Sequence, residues 1–300
     1  MSTFPNFFIL GAPKCGTTSM AAWLSEHPEI FISPVKEPHH FNYDHDYNNF
    51  PDRSSYLNLF DAVKERHQAV GEASVFYLFS EVAVREIESV IQEPRYIVMV
   101  RNPVEMAYSL HEQQLVAGNE HIESFEAAWE KSDFRLQGEG ASVWCREPRL
   151  LAYKQVCMLG GQLCRLFKHV PRDRVHVTVM DDLKKDAGRE YRRVLRFLGV
   201  GDDGRTEFSA RNTAKRRRSK WLRRLVKAFI GMKQSLGIYR MGTGLLDGID
   251  RINTDYQDRP PLPDWVREKI AAEFEEDVRL LGCLLDRDLD GWFKNNPTVA

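Results

Sequence analysis

The stretch Phe7-Phe8-Ile9-Leu10-Gly11-Ala12-Pro13-Lys14-Cys15-Gly16-Thr17-Thr18-Ser19 restricts the fold more than any other part of the chain. An apolar run ends in a glycine, a short loop follows, and Met20-Ala21-Ala22-Trp23-Leu24 opens an amphipathic segment. That order reads as a buried strand, a tight turn and the start of a helix. Gly11 and Gly16 bracket the loop. Backbone N–H groups in such a loop converge, and the helix N-terminus adds positive potential, so a phosphate is the expected guest. In the usual nucleotide loop, G-x-x-x-x-G-K-[ST], a lysine follows the second glycine and the next hydroxyl binds magnesium. Here Thr17 takes the lysine's place and the lysine lies inside the loop as Lys14.

A second strand–helix junction lies at residues 95–109. Arg95-Tyr96-Ile97-Val98-Met99-Val100 is a near-continuous apolar run, as a strand buried in a parallel sheet requires. It ends in Arg101-Asn102-Pro103, where proline opens a helix. An arginine at the carboxyl end of a strand can pair bidentately with a phosphate, and Ser109 on the next helix can add a hydrogen bond. Elsewhere the pattern predicts strands at 69–77 and 174–180. It predicts helices at 78–92, 124–133, 148–170, 181–198 and 264–285, and a short apolar piece at Ile30-Phe31-Ile32. Gly160-Gly161 implies a break or a close helix contact within 148–170. Pro34 and Pro38 predict an extended segment around Glu37.

The loop Pro13-Lys14-Cys15-Gly16-Thr17-Thr18-Ser19 and the stretch Arg101-Asn102-Pro103 to Ser109 resemble the 5′-phosphosulfate and 3′-phosphate motifs of sulfotransferases. These enzymes use 3′-phosphoadenosine 5′-phosphosulfate (PAPS) and release 3′-phosphoadenosine 5′-phosphate (PAP). Lys36-Glu37-Pro38, His39, Phe41 and Asn42 resemble the segment carrying the general base in carbohydrate and heparan-type members. Gly71-Glu72-Ala73-Ser74-Val75-Phe76-Tyr77 is similar to the G-E-x-S-x-x-Y segment of bacterial members. Related carbohydrate enzymes carry lysine at Ala73 and proline at Val75, so that lysine's acceptor contacts are absent here. The resemblance implies an α/β, P-loop-type three-layer fold, with a mostly parallel sheet flanked by helices and one domain over residues 1–300. Ligands are then expected at the carboxyl ends of strands one and three.

It also implies roles. Pro13 to Ser19 would hold the 5′-phosphosulfate, with Arg101 and Ser109 on the 3′-phosphate. Glu37 would be the base, with His39 the second candidate and His111 a weaker one. Lys14 would meet charge growing on the bridging oxygen. No metal is required. Residues 207–258 form a basic, then Gly-rich segment, and Arg211–Lys220 is its dense part. By resemblance this segment covers the cofactor, which makes Lys215, Arg216, Arg217 and Arg218 further cofactor candidates. Nucleic-acid contact, an anionic membrane surface or a solvated face are the other readings of those charges. Tyr47, Phe50, Tyr56 and Phe60 either line an acceptor site or cap the core, and Trp144 either meets an acceptor or anchors its loop.

Bulk properties narrow the setting. Forty-two basic and 43 acidic residues leave a net charge of −1, so any polyanion-binding surface must be local. Five scattered cysteines without a C-x-x-C pair argue against a disulfide framework, and Cys15 reads as small loop filler. No signal-like leader or membrane-length apolar run appears, which points to a cytoplasmic protein. The expected partner is a small-molecule or glycan acceptor, with no nucleic acid. Two competing functions make different demands. A P-loop kinase would need ATP, magnesium and an aspartate such as Asp181, while a noncatalytic nucleic-acid module would rely on residues 211–227.

Overall fold

A computed structural model describes residues 4–209, 216–217, 254–255 and 261–293. The chain divides into two compact units, residues 1–107, 154–212 and 264–300 in one, and 108–153 and 213–263 in the other. The first unit holds a five-stranded sheet: β1 (Phe7–Gly11), β2 (Ile30–Ile32), β3 (Ala69–Ala73), β4 (Arg95–Val100) and β5 (Val175–Val179). Their order is β2-β3-β1-β4-β5, and every neighbouring pair is parallel. The strands that read as continuous apolar runs are the central ones. Phe7 to Leu10 of β1 and Tyr96 to Val100 of β4 are wholly buried. Ile30–Ile32 joins the sheet at its edge, so the strand bearing Arg101 is the fourth rather than the third.

The connection from β1 leads toward β3 on one side, while β4 lies on the other. This places the topological switch at β1, where α/β sheets bind ligands. The register between β1 and β4 shifts between Ile9 and Gly11, the irregularity that re-aims a chain as it leaves a sheet.

Helices around the sheet are α1 (Thr17–Ser25), α2 (Arg53–Leu57), α3 (Ala83–Val90) and α4 (Pro103–Ala117). In the second unit α5 (Phe125–Trp129) and α6 (Ser132–Leu136) follow; back in the first unit, α7 (Tyr153–Val156), whose first residue belongs to the second, leads to α8 (Leu159–His169). Then come α9 (Met180–Lys185), α10 (Ala187–Leu198) and α11 (Asp264–Leu285), the last burying Ile270, Phe274, Val278 and Leu281 on the expected face.

Several expected helices are shorter or divided, and the causes are visible. The helix expected from residue 78 begins at Ala83, because the Ser80 hydroxyl accepts from the Val82 and Ala83 N–H groups. The segment 124–133 splits into α5 and α6. The segment 148–170 opens as a 3₁₀ turn, Pro148–Leu151, then breaks before α8. Asp277 on α11 accepts from the N–H groups of Gly160 and Gly161 at 2.8 Å and so fixes where α8 starts. A Cβ on Gly160 would lie 2.1 Å from the Asp277 carbonyl oxygen, so the glycine pair marks both a break and a close contact. The helix expected over 181–198 divides at Asp186, whose carboxylate caps the N-terminus of α10 through Arg189 N–H at 2.8 Å.

Candidate active site

The glycine loop leaves β1 and turns into α1 at Gly16, which is left-handed with φ 89°. A side chain there would meet Leu183 Cδ2 at 3.0 Å and Met180 Sδ at 3.2 Å, so both backbone and packing ask for glycine. α1 has no side-chain cap and no acidic residue in its first turn. The leading N–H groups of a helix lack intrahelical acceptors, so this end suits an anion. Pro13, Cys15, Thr17 and Ser19 are buried, while Lys14, Gly16 and Thr18 are half-buried. Lys14 is also left-handed, with φ 63°. Burial pushes the Cys15 thiol up to about 12, against the pull of Arg101 and Lys14, which fits filler and not a nucleophile.

Arg101 follows β4 directly. Its Nη1 donates to the Lys14 carbonyl oxygen at 3.2 Å, tying the end of β4 to the loop after β1. Its Nε and Nη2 donate to Glu105 Oε2 at 3.1 and 2.7 Å, an i,i+4 pair within the start of α4. The fork expected to meet a phosphate is therefore already held by a carboxylate, so a phosphate must share or replace Glu105. Burial raises the Glu105 carboxyl, but the Arg101 charge and hydrogen bond, with the Lys184 and Arg267 charges, together outweigh it and the group lies below its usual range. Ser109 is buried on α4, in the part of that helix belonging to the second unit.

Glu37 lies beyond the carboxyl end of β3, its N–H donating to the Ala73 carbonyl at 2.9 Å. The extended conformation expected from Pro38 is not what forms. Glu37 has φ 62° and His39 φ 52°, both left-handed, because bonds to the 73–77 segment dictate the turn. The carboxylate pairs with the Lys36 ammonium and lies 3.6 Å from His39 Nε2. Burial alone would raise Glu37. The His39 contact and the Lys36 charge overcome it and hold the group at about 2. His39 is wholly buried among the rings of Tyr47, Phe76 and Tyr77, and burial lowers its pKa.

Of the aromatics at 44–66, Tyr56 and Phe60 are core caps, while Tyr47 packs on His39. His111 is buried in the second unit with Nε2 2.9 Å from the Ile122 carbonyl, a structural partner for that nitrogen. Trp144 is 44% exposed in the same unit. Lys215 and Arg218 lie outside the described residues, as does the expected basic helix after them. Arg216 and Arg217 form a two-residue strand, β6, antiparallel to β7 (Thr254–Asp255). Asp181, the aspartate a kinase would need, accepts from the Trp292 indole N–H at 2.7 Å.

One group in this neighbourhood carried no assigned role in the sequence. Glu72 is wholly buried on β3, and burial pushes its carboxyl up to about 7 despite bonds from Ser74, Tyr77 and Tyr56. The G-E-x-S-x-x-Y spacing was the available signal.

Known proteins similar to this chain are sulfotransferases. A family model described as the sulfotransferase domain matches residues 4–227. Mouse carbohydrate sulfotransferase 15 is 31% identical over 147 residues, covering 35% of this chain and 26% of that protein. Mouse heparan sulfate glucosamine 3-O-sulfotransferase 3A1 is 27% identical over 198 residues, covering 65% of this chain and 46% of that protein. The chain thus spans only about a quarter of the length of the carbohydrate relative. Among solved structures, a sulfotransferase from Alicyclobacillus acidocaldarius superposes with TM-score 0.73 at 27% identity, covering 97% of this chain and 100% of that one. With three quarters of its residues inside the matched region, the chain belongs to the sulfotransferase family of enzymes.

Proposed function

We propose that the protein transfers a sulfuryl group from PAPS to an acceptor hydroxyl or amine, with a glycan as the favoured acceptor. The observation that carries this reading is the tie between the Arg101 guanidinium and the Lys14 carbonyl, which sets two anion-directed elements side by side. The uncapped start of α1 fits the 5′-phosphosulfate, and Arg101 fits the 3′-phosphate that ATP lacks. PAPS supplies an activated sulfuryl group with PAP as its leaving portion.

The chain's own residues do the rest. The loop from Pro13 to Ser19 holds the phosphosulfate in place, and Lys14 offsets negative charge as it grows on the bridging oxygen. Ser109 is assigned to the 3′-phosphate, and the charges of Lys215 to Arg218 make them further cofactor candidates. Glu37 is ionised across the neutral range and takes the acceptor's proton at a carboxylate oxygen. His39, neutral and packed beside it, is the second candidate for that proton. Placement of acceptor and donor in line accounts for much of the acceleration. Relatives named for carbohydrate and heparan sulfate support the glycan acceptor.

The test is turnover of PAPS with a panel of glycan acceptors, read by mass spectrometry of the sulfated product. Lys14→Ala and Glu37→Gln should each lower turnover by roughly 100-fold or more. Full activity in Glu37→Gln would remove the base assignment.

A further inference from the structure

Beneath the Glu37 loop lies a buried polar chain that the roles above leave unused. Two residues of the loop, Glu37 and His39, hold left-handed backbones that disfavour any side chain with a Cβ. Such a turn persists only where its surroundings over-determine it. Three main-chain N–H groups do so, one at every second residue. Glu37 N–H donates to the Ala73 carbonyl at 2.9 Å, His39 N–H to Ser74 Oγ at 3.0 Å, and Phe41 N–H to the Tyr77 hydroxyl oxygen at 3.1 Å.

The middle anchor is itself set by a carboxylate. Ser74 has one hydroxyl proton and donates it to Glu72 Oε2 at 2.6 Å, which turns its lone pairs toward the His39 N–H. Glu72 Oε1 accepts from the Tyr56 hydroxyl at 3.2 Å. Glu72, Ser74, His39, Tyr56 and Tyr77 are all wholly buried, so water does not compete for these bonds. The His39 imidazole, by contrast, has no close hydrogen-bond partner on either nitrogen; ring packing, the backbone and the Glu37 carboxylate 3.6 Å from Nε2 hold it. The main-chain anchors thus set the backbone turn that presents the Glu37 carboxylate, which Lys36 and His39 then flank.

We propose that Ser74, oriented by Glu72, is a positioning residue for the transfer reaction. It locks the left-handed turn that presents Glu37, with Tyr77 as the parallel lock one step further along. This rests on Glu37 acting as the base.

The test compares Ser74→Ala, Ser74→Thr and Glu37→Gln with the unaltered full chain. Three readouts are used: amide hydrogen exchange, thermal shift with PAP, and PAPS turnover with heparan sulfate as the acceptor probe. In Ser74→Ala the amides of residues 37–41 should exchange roughly tenfold faster, the loss expected for one buried hydrogen bond. Exchange over β1 and residues 11–19, the PAP shift and KM for PAPS should all stay unchanged. Turnover should fall roughly ten- to 100-fold through kcat alone, as misplacement of a reacting group predicts. Ser74→Thr, which keeps the hydroxyl, should restore most of it. Where Ser74→Ala fails to fold, Tyr77→Phe removes the neighbouring lock at nearly constant volume and should give the same pattern for Phe41. Unchanged loop exchange in Ser74→Ala would overturn the proposal. So would faster exchange with kcat within about twofold of the parent while Glu37→Gln is inactive. Full turnover in Glu37→Gln would instead strike the base reading, and the proposal with it.

Discussion

Glu37, half-buried, and Glu72, wholly buried, are driven in opposite directions. Burial acts upward on both. At Glu37 the His39 contact and Lys36 win, taking the group from its ordinary 4.5 to about 2. At Glu72 burial wins over hydroxyl donors, taking it to about 7. Linkage then assigns each a pH window. The Glu37 contribution to stability is present above pH 4.5 and is lost as pH falls through 2. The Glu72 contribution is present below 4.5 and is lost as pH rises through 7, because the unfolded chain ionises first. Each window is worth on the order of 3 kcal/mol. Thermal melts against pH should therefore flatten between 4.5 and 7 in Glu72→Gln, and below 4.5 in Glu37→Gln. The same slope in parent and variant would contradict the assignment. At this scale the sequence marked Lys14 and Arg101 through their strand–helix junctions, and Glu37 through the resemblance of its Lys36-Glu37-Pro38 segment to a base-carrying one. It did not mark the turn at Glu37, since Pro38 argues locally for extended backbone and the bonds that override it come from residues 73–77. The Arg101–Glu105 pair was equally hidden, because i,i+4 spacing does not distinguish a surface pair from one holding a ligand-directed fork.

Among the elements, strands were easier to read than helix ends. A buried parallel strand carries its own signal in a continuous apolar run, as β1 and β4 do. Helix boundaries here are set by caps from distant residues. Asp277 determines where α8 begins across 117 residues of chain, and no local pattern reveals that. Two stability predictions follow from this contact. Gly160→Ala gains helix propensity of about 1 kcal/mol yet drives a methyl into the Asp277 carbonyl. Overpacking of that kind costs roughly 1–3 kcal/mol, so a net loss is expected in denaturant melts. Asp277→Ala removes a cap from two N–H groups and should cost about 0.5–2 kcal/mol. A stabilised Gly160→Ala would show that α8 and α11 can separate without penalty. The glycine pair was legible as a perturbation of the helix; the helix it meets was not.

Across the whole chain, the order β2-β3-β1-β4-β5 lines up the carboxyl ends of β3, β1 and β4. Glu37, held by its N–H on the Ala73 carbonyl, the glycine loop and Arg101 lie at those three ends in that order. Residues separated by more than 60 positions thus come to adjacent strand ends through parallel pairing alone. In the proposed function this arrangement gives one nucleotide two anionic anchors, with the 3′-phosphate on Arg101. The most direct test is calorimetric binding of PAP and of AMP, which lacks the 3′-phosphate, to the parent protein and to Arg101→Ala. The parent should bind PAP at least about tenfold tighter than AMP, the scale of a charge-assisted bidentate pair. In Arg101→Ala that preference should vanish while AMP binding stays near the parental value. Equal losses for PAP and AMP, or an undiminished preference for PAP, would contradict the account.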